Sequence, residues 1–343
     1  MHTVLLRPVP AKGKFSSSRG LSYSSAEPRG ASVVAPTIPR RQGREVTHVT
    51  VIEGVAVALM ASSGALAQSC TGNPVAVQVL GSGAPGFVRD RANTSYLLWV
   101  GNQAKILVDA GGGAYVRFGQ AQAKFSDLSV ILVSHLHPDH SSDLPGVLWS
   151  GRNTRNDMLP IVGPSGNEAA PAFDEFLTRL FDPKNGSWEV LSSVVAPGPG
   201  VKLDPRVVDV AKQEPTTVYD RDGVKVTAMG IPHGNLPTLA YRVETQGVSV
   251  VYSSDQSGTN PRFPDFANGA DILVTHLAIG VGANNPNQAL PAVVGQVAQS
   301  ANPKRLILSH IANFDLDAAV ADVKRNYSGS LTIGADLQCT QAK

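Results

Sequence analysis

Ser134-His135-Leu136-His137-Pro138-Asp139-His140 follows directly on Val130-Ile131-Leu132-Val133, a continuous apolar run of the kind that makes a fully buried central strand. Three imidazoles and a carboxylate at the mouth of a sheet would bury costly polar groups unless something binds them. A metal ion is the simplest occupant, because an incidental polar loop rarely reaches this density of ligand side chains.

The elements around this segment follow from periodicity. Residues 75–80 read as a strand running into a glycine-rich loop, and residues 96–100 and 105–109 as a hairpin turning at Gly101-Asn102. A helix is predicted over 168–182, where Phe173, Phe176, Leu177, Leu180 and Phe181 share one face. Further strands are expected at 224–227, 239–243, 248–252, 272–274 and 306–308, and helices at 290–300 and 317–326. Strands and hairpins alternate with helices in both halves, which implies two sheets packed face to face with helices outside.

A chain of 343 residues, 42% hydrophobic and 16% charged, can bury a substantial core. Residues 1–44 are rich in Ser, Pro and Arg without a sustained apolar period, so they read as a disordered extension or a mis-assigned start. Residues 45–67 carry an apolar stretch behind Arg40, Arg41 and Arg44 and end in Ala65-Leu66-Ala67, the pattern of a cleaved signal peptide. The alternative, a short membrane anchor, is opposed by Glu53 and by a length below the ~20 residues a spanning helix needs. Residues 68–343 then form the mature domain, exported to a bacterial periplasm or beyond. Its two cysteines, Cys70 and Cys339, allow a disulfide there without requiring one, and Gln68-Ser69 is a poor setting for a lipid anchor on Cys70. Eight basic against three acidic residues put +5 on the first 67 residues, which leaves −3 for the remainder of a chain whose total is +2. A slightly acidic mature surface argues against nucleic acid as partner.

The HxHxDH pattern of His135, His137, Asp139 and His140 resembles the signature of the metallo-β-lactamase superfamily, which implies an α/β fold, the four-layer αββα sandwich, and a hydrolase. By that resemblance His135 and His137 face one metal and Asp139 and His140 a second. It also requires later ligands, supplied here by His233, Asp255 and His310, each after a predicted strand or its turn. Five of the six histidines beyond residue 67 occupy these positions, and only His276 is left over. Imidazole-rich sites suit two zinc ions, with iron or manganese as alternatives, and a bridging Asp255 would hold the pair. A water between such ions is acidified to a hydroxide nucleophile, with Asp139 as ligand and orienter of that water. His276 is a candidate proton donor to the leaving group, or else a structural residue. Asp109 matches a position that orients a metal-bound histidine, and reads equally as a turn aspartate.

Residues 79–83, Asn93-Thr94-Ser95, Asp143-Leu144-Pro145-Gly146 and His233-Gly234-Asn235-Leu236-Pro237 resemble the ribonuclease Z and arylsulfatase branch. Ribonuclease Z itself fits poorly: the span from His233 to Asp255 is too short for that family's tRNA-gripping arm, and export separates the chain from precursor tRNA. Ser254-Asp255-Gln256 also departs from the branch's usual Gly-Asp-Thr. These readings point to a sulfate-ester or phosphodiester-type substrate, arylsulfatase-like, with a lactonase or carboxylic-ester hydrolase as alternative and a non-catalytic metal-binding module as the different class. The expected partner is a small-molecule ester, with no nucleic acid, no stable membrane association after signal cleavage, and room for a homo-oligomer. Trp149 and Trp188 are candidate cleft walls, with ordinary packing as the alternative.

Overall fold

An apolar strand needs cover on both faces, and the computed structural model, which describes residues 70–342, supplies it. The extension and signal segment expected at 1–67 lie outside the described residues. In chain order the strands are β1 (Asn73–Gly81), β2 (Ser95–Gly101), β3 (Gln103–Val108), β4 (Val130–Leu132), β5 (Met158–Pro164), β6 (Lys202–Val208), β7 (Thr216–Arg221), β8 (Val224–Gly230), β9 (Leu239–Thr245), β10 (Val248–Tyr252), β11 (Ile272–His276), β12 (Leu306–Ser309), β13 (Leu331–Ile333) and β14 (Cys339–Gln341). The helices are α1 (Ala114–Gln120), α2 (Pro138–Ser141), α3 (Leu144–Gly151), α4 (Phe173–Phe181), α5 (Phe263–Ala267), α6 (Pro291–Ala301) and α7 (Leu316–Asn326).

The strands form two seven-stranded sheets, ordered β14-β1-β2-β3-β4-β5-β6 and β13-β12-β11-β10-β9-β8-β7. Alternation along each strand divides the core into three buried layers. Val130 and Leu132 of β4 point between the sheets, where they join Ile106 and Val108 of β3 and, from the second sheet, Val243, Val250 and Val274. Ile131 points the other way, toward α1, α3 and α4, among Phe118, Leu148 and Phe173. Removing a side chain such as Ile131, fully buried, to alanine costs about 2–5 kcal/mol. A third layer, with Phe263, Val294 and Val323, lies between the second sheet and α5, α6 and α7. The result is the four-layer αββα sandwich expected from the sequence.

One local feature differs from expectation and another settles a pairing left open. The helix over 168–182 begins only at Phe173, because Pro171 lacks an N–H and holds the residue before it extended. Phe173, Leu177 and Phe181 are its buried stripe, and Asp174 and Glu175 in its first turn suit the helix dipole. The pairing left open for the cysteines is realised: Cys70 and Cys339 are bonded, with Cα atoms 5.5 Å apart across a sequence separation of 269. The bond reinforces β14, which lies antiparallel on β1. Among the described residues no helix is long and apolar enough to cross a membrane.

Candidate metal centre

Strand ends from both sheets converge on one rim. In the first sheet β3 and β4 are parallel, with Val108 beside Leu132, so Asp109 and the 134–140 segment emerge together. In the second sheet β10, β11 and β12 are parallel and deliver Asp255, His276 and His310 side by side. The Tyr241 hydroxyl of β9 donates to the carbonyl of Val133 at 2.7 Å, and the Leu239 N–H donates to that of Ser134 at 2.9 Å. These two bonds fix the start of the histidine segment against the second sheet. Gly111, just after β3, passes so close that a Cβ there would stand 2.0 Å from the carbonyl oxygen of Asp139. Asp109, Ser254 and His310 all adopt left-handed backbone, at φ 56°, 54° and 55°. Such conformations in non-glycine residues cost energy and concentrate where function demands a fixed direction.

The side chains form two groups that share one carboxylate. Ligand atoms of His135, His137, His233 and Asp255 all lie within 4.8 Å of one another, as do those of His140, Asp255, His276 and His310. In the first group His135 Nε2 is 3.0 Å from His137 Nδ1, and His233 Nε2 is 3.5 Å from Asp255 Oδ2. In the second, the other oxygen of Asp255, Oδ1, is 3.2 Å from His310 Nε2 and 3.7 Å from His140 Nε2. Asp139 stands beside this second group, its Oδ2 3.1 Å from His310 Nε2 and 3.5 Å from His140 Nε2.

Hydrogen bonds on the far side of the rings choose which nitrogen faces inward. Asp109 Oδ2 lies 2.8 Å from His140 Nδ1 and also accepts from the Ser134 hydroxyl at 2.8 Å. The Ser134 N–H donates to Asp109 Oδ1 at 2.7 Å. Asp109 is thus bonded to the His140 ring and to both the backbone and the hydroxyl of Ser134, contacts beyond those of a simple turn aspartate. His233 Nδ1 donates to the carbonyl of Asn287 at 3.0 Å. Both arrangements leave Nε2 free toward the centre, and His140 Nε2 is a buried nitrogen with no hydrogen-bond partner. A buried, unpartnered imidazole nitrogen facing two carboxylates fits a divalent metal ion.

The electrostatics agree. Burial, reinforced by His140, holds His135 well below the usual imidazole range, and burial with the charge of His233 lowers His137, so both stay neutral as ligation requires. Burial by itself would raise Asp139 and Asp255, yet both end below the ordinary carboxylate range. The hydrogen bond from His310 lowers Asp139, while the charge of His310 and the bond from His276 lower Asp255. His140 is the exception: burial lowers it, but the carboxylates of Asp109, Asp255 and Asp139, Asp109 foremost, together outweigh that and bring it to about 9.

His276 does not stand open to a leaving group. It is buried, with Nδ1 2.6 Å from Asp255 Oδ1 and Nε2 3.1 Å from the Tyr96 hydroxyl. Both ring nitrogens thus have partners within the protein, the contacts expected of the structural alternative for this residue. Tyr96 and Gln288, whose Nε2 donates to Asp255 Oδ2 at 2.7 Å, were not foreseen. A buried tyrosine usually finds a partner for its hydroxyl, a signal available for Tyr96; Gln288 lies in a loop without one. Trp149 and Trp188 are 44% and 49% exposed and, with Tyr115, Pro145, Gly146, Val190 and Leu191, line an apolar cavity of about 280 Å³, so neither is core packing.

Comparison with known proteins agrees with this architecture. A family model described as "Beta-lactamase superfamily domain" matches residues 104–311. A ribonuclease Z from Mycolicibacterium paratuberculosis is 30% identical over 293 residues, covering 78% of this chain and 98% of that protein. Among solved structures, the metallo-β-lactamase fold protein YhfI from Bacillus subtilis has a TM-score of 0.61 at 20% identity, covering 78% of this chain and 99% of its own. Human tRNase Z, short form, has a TM-score of 0.61 at 19% identity, covering 78% of this chain and 99% of its own.

The expectation of a small-molecule ester substrate and no nucleic-acid partner is overturned by the mycobacterial relative, which matches 78% of the chain at 30% identity and is named as a ribonuclease. The charge argument failed because a net charge of −3 sums all of residues 68–343, whereas a strand is drawn to a local field. Divalent ions at the rim would themselves be the largest local charges.

Proposed function

We propose, from the premise that this chain belongs to the metallo-β-lactamase superfamily in its ribonuclease Z-like branch, that this metal-dependent hydrolase cleaves phosphodiester bonds in nucleic-acid strands. The observation that carries the proposal is the sharing of Asp255 between two ligand groups, one facing each of its oxygens. In this reading His135, His137 and His233 hold one ion, Asp139, His140 and His310 the other, and Asp255 both. The predominance of imidazole favours zinc. Divalent cations bound there supply Lewis acidity, acidifying water and offsetting the charge of a phosphodiester. Asp139, at the edge of the second group, orients the attacking water, and Asp109 and Asn287 keep the histidine rings aimed.

The substrate is bounded by what the fold lacks between His233 and Asp255. Strands β9 and β10 are joined tightly at Gln246-Gly247, both residues at positive φ, so no arm projects there. A single-stranded end or a short oligonucleotide suits such a rim better than a folded RNA. The rim beside His233 offers Asn167, Gln213 and Asn235 around a cavity of about 230 Å³. The Cys70–Cys339 bond supports the further proposal that the enzyme works outside the cytoplasm, where disulfides persist.

The test is to incubate zinc-loaded protein, and its Asp139→Ala variant, with end-labelled single-stranded RNA and DNA oligonucleotides, bis-aryl phosphate, aryl sulfate and a lactone. Oligonucleotide cleavage that Asp139→Ala abolishes is expected. Turnover of the sulfate or the lactone with intact oligonucleotides would overturn the proposal.

A further inference from the structure

We infer that His276 is a positioning residue of the metal centre, holding the shared carboxylate of Asp255 through Nδ1 while Tyr96 fixes its tautomer through Nε2. The inference rests on the reading of Asp255 as a ligand common to two metal ions. Three buried side chains line up across the space between the sheets: Tyr96 on β2, His276 at the end of β11, and Asp255 after β10. An ionised carboxylate only accepts, so the hydrogen in the 2.6 Å contact with Asp255 Oδ1 belongs to His276 Nδ1. The remaining ring nitrogen of a neutral imidazole is an acceptor, so the 3.1 Å contact at Nε2 is donated by the Tyr96 hydroxyl. Every hydrogen in the chain is thereby assigned, running from Tyr96 through His276 to Asp255.

Two consequences follow for the centre. His276 has no lone pair facing the second group, although it lies within ligand distance of His140, Asp255 and His310; it serves the ions through Asp255. With Gln288 donating to Oδ2 at 2.7 Å and His276 to Oδ1, each carboxylate oxygen is held from outside, and each retains a lone pair toward one group of histidines. The His276 ring also stacks on that of His310, with centroids 4.5 Å apart and planes 4° from parallel. One residue therefore sets the direction of two proposed ligands.

The experiment is zinc titration of the metal-free full chain, with stoichiometry by elemental analysis, for the unsubstituted protein, H276A, H276N, H276Q and Y96F. The amide nitrogen of asparagine falls where Nδ1 stands, and that of glutamine nearer Nε2. Loss of an orienting partner typically weakens metal binding about 10–100-fold. H276A is expected to lose that much on the weaker-held ion, H276N to recover most of it, H276Q not to, and Y96F to lose less than H276A. Circular dichroism and thermal melts report folding, and if H276A does not fold the contrast of H276N with H276Q decides. H276N as weak as H276Q, or H276A binding both ions as tightly as the unsubstituted protein, overturns the inference. An unsubstituted protein that binds fewer than two ions overturns the two-ion reading, and the inference falls with it.

Discussion

Asp109 Oδ2 sits 2.8 Å from His140 Nδ1, both side chains closed to solvent, and it reaches that position from a backbone at φ 56°. The pair does for His140 what the carbonyl of Asn287 does for His233, but with a full charge. Charge-assisted hydrogen bonds are roughly twice as strong as neutral ones. Asp109→Ala is therefore expected to weaken metal binding by about 10–100-fold, read by competition with a chromogenic chelator. An unchanged affinity would show that His140 is oriented by packing alone.

The metal-free protein should be most stable near pH 6.5. His140 is raised from 6.5 to about 9, principally by Asp109 against the opposing effect of burial. Its contribution is complete below pH 6.5 and disappears as pH rises through 9. His276 is lowered from 6.5 to about 3, by burial first and then by His310. That contribution is present above pH 6.5 and is lost as pH falls toward 3, and the lowered His135 and His137 act in the same direction. Thermal melts of chelator-treated protein from pH 5 to 9 should give a peaked profile, and saturating zinc should remove the alkaline fall by displacing the His140 proton. A metal-free profile that rises steadily to pH 9 would contradict the assignment for His140.

A paired substitution separates close approach from chain entropy. A Cβ on Gly111 would stand 2.0 Å from the Asp139 carbonyl oxygen, whereas one on Gly119 in α1 would meet nothing within 4 Å. Gly111→Ala should displace the 137–140 turn and impair metal binding. Gly119→Ala should stabilise the fold by about 0.4–1 kcal/mol. Denaturant unfolding and zinc titration on both variants check the pair; equal effects would mean that the contact at Gly111 is relieved without consequence.

Cys70→Ser should cost about 2–5 kcal/mol of stability, the usual range for a native disulfide, without changing metal content. The bond closes 269 residues and lies on the β1–β14 edge of the first sheet, not on the metal rim. Unfolding with and without a reductant measures the difference, and a loss of zinc in the variant would show that the edge and the rim are coupled.

Why the candidate ligands were legible, and some elements were not, follows from local chemistry. His135, His233, Asp255 and His310 each come after an apolar strand, so strand-end position and ligand type reinforced one another. The strand β5 escaped notice because Pro160 and Pro164 sit within it, and proline is rarely found inside a sheet. The structure accommodates it: β4 is three residues long and its register with β5 covers only Ile161 and Val162, so Pro160 lacks a ladder partner on that side. The contacts of His276 had no local signature, since the parallel register that sets it opposite Ser309, beside His310, is a property of pairing between distant segments. An orienting role for Asp109 came with the family resemblance, beside a turn reading of nearly equal weight; the Tyr96–His276–Asp255 line joins three strands or their ends and has no local signature.

The first sheet is completed by a strand that lies far along the chain from the one it covers. Cys339–Gln341 forms the strand that covers β1, and Asp336 just before it accepts from Ser82 N at 3.0 Å and from Ala92 N at 2.7 Å. During synthesis β1 is made long before its outer neighbour, so its edge stays open while the intervening residues are added. Loop closure over such a distance is slow, and an open strand edge invites pairing with another chain. Folding yield, more than final stability, is the quantity most exposed to changes in the segment from Asp336 to Gln341.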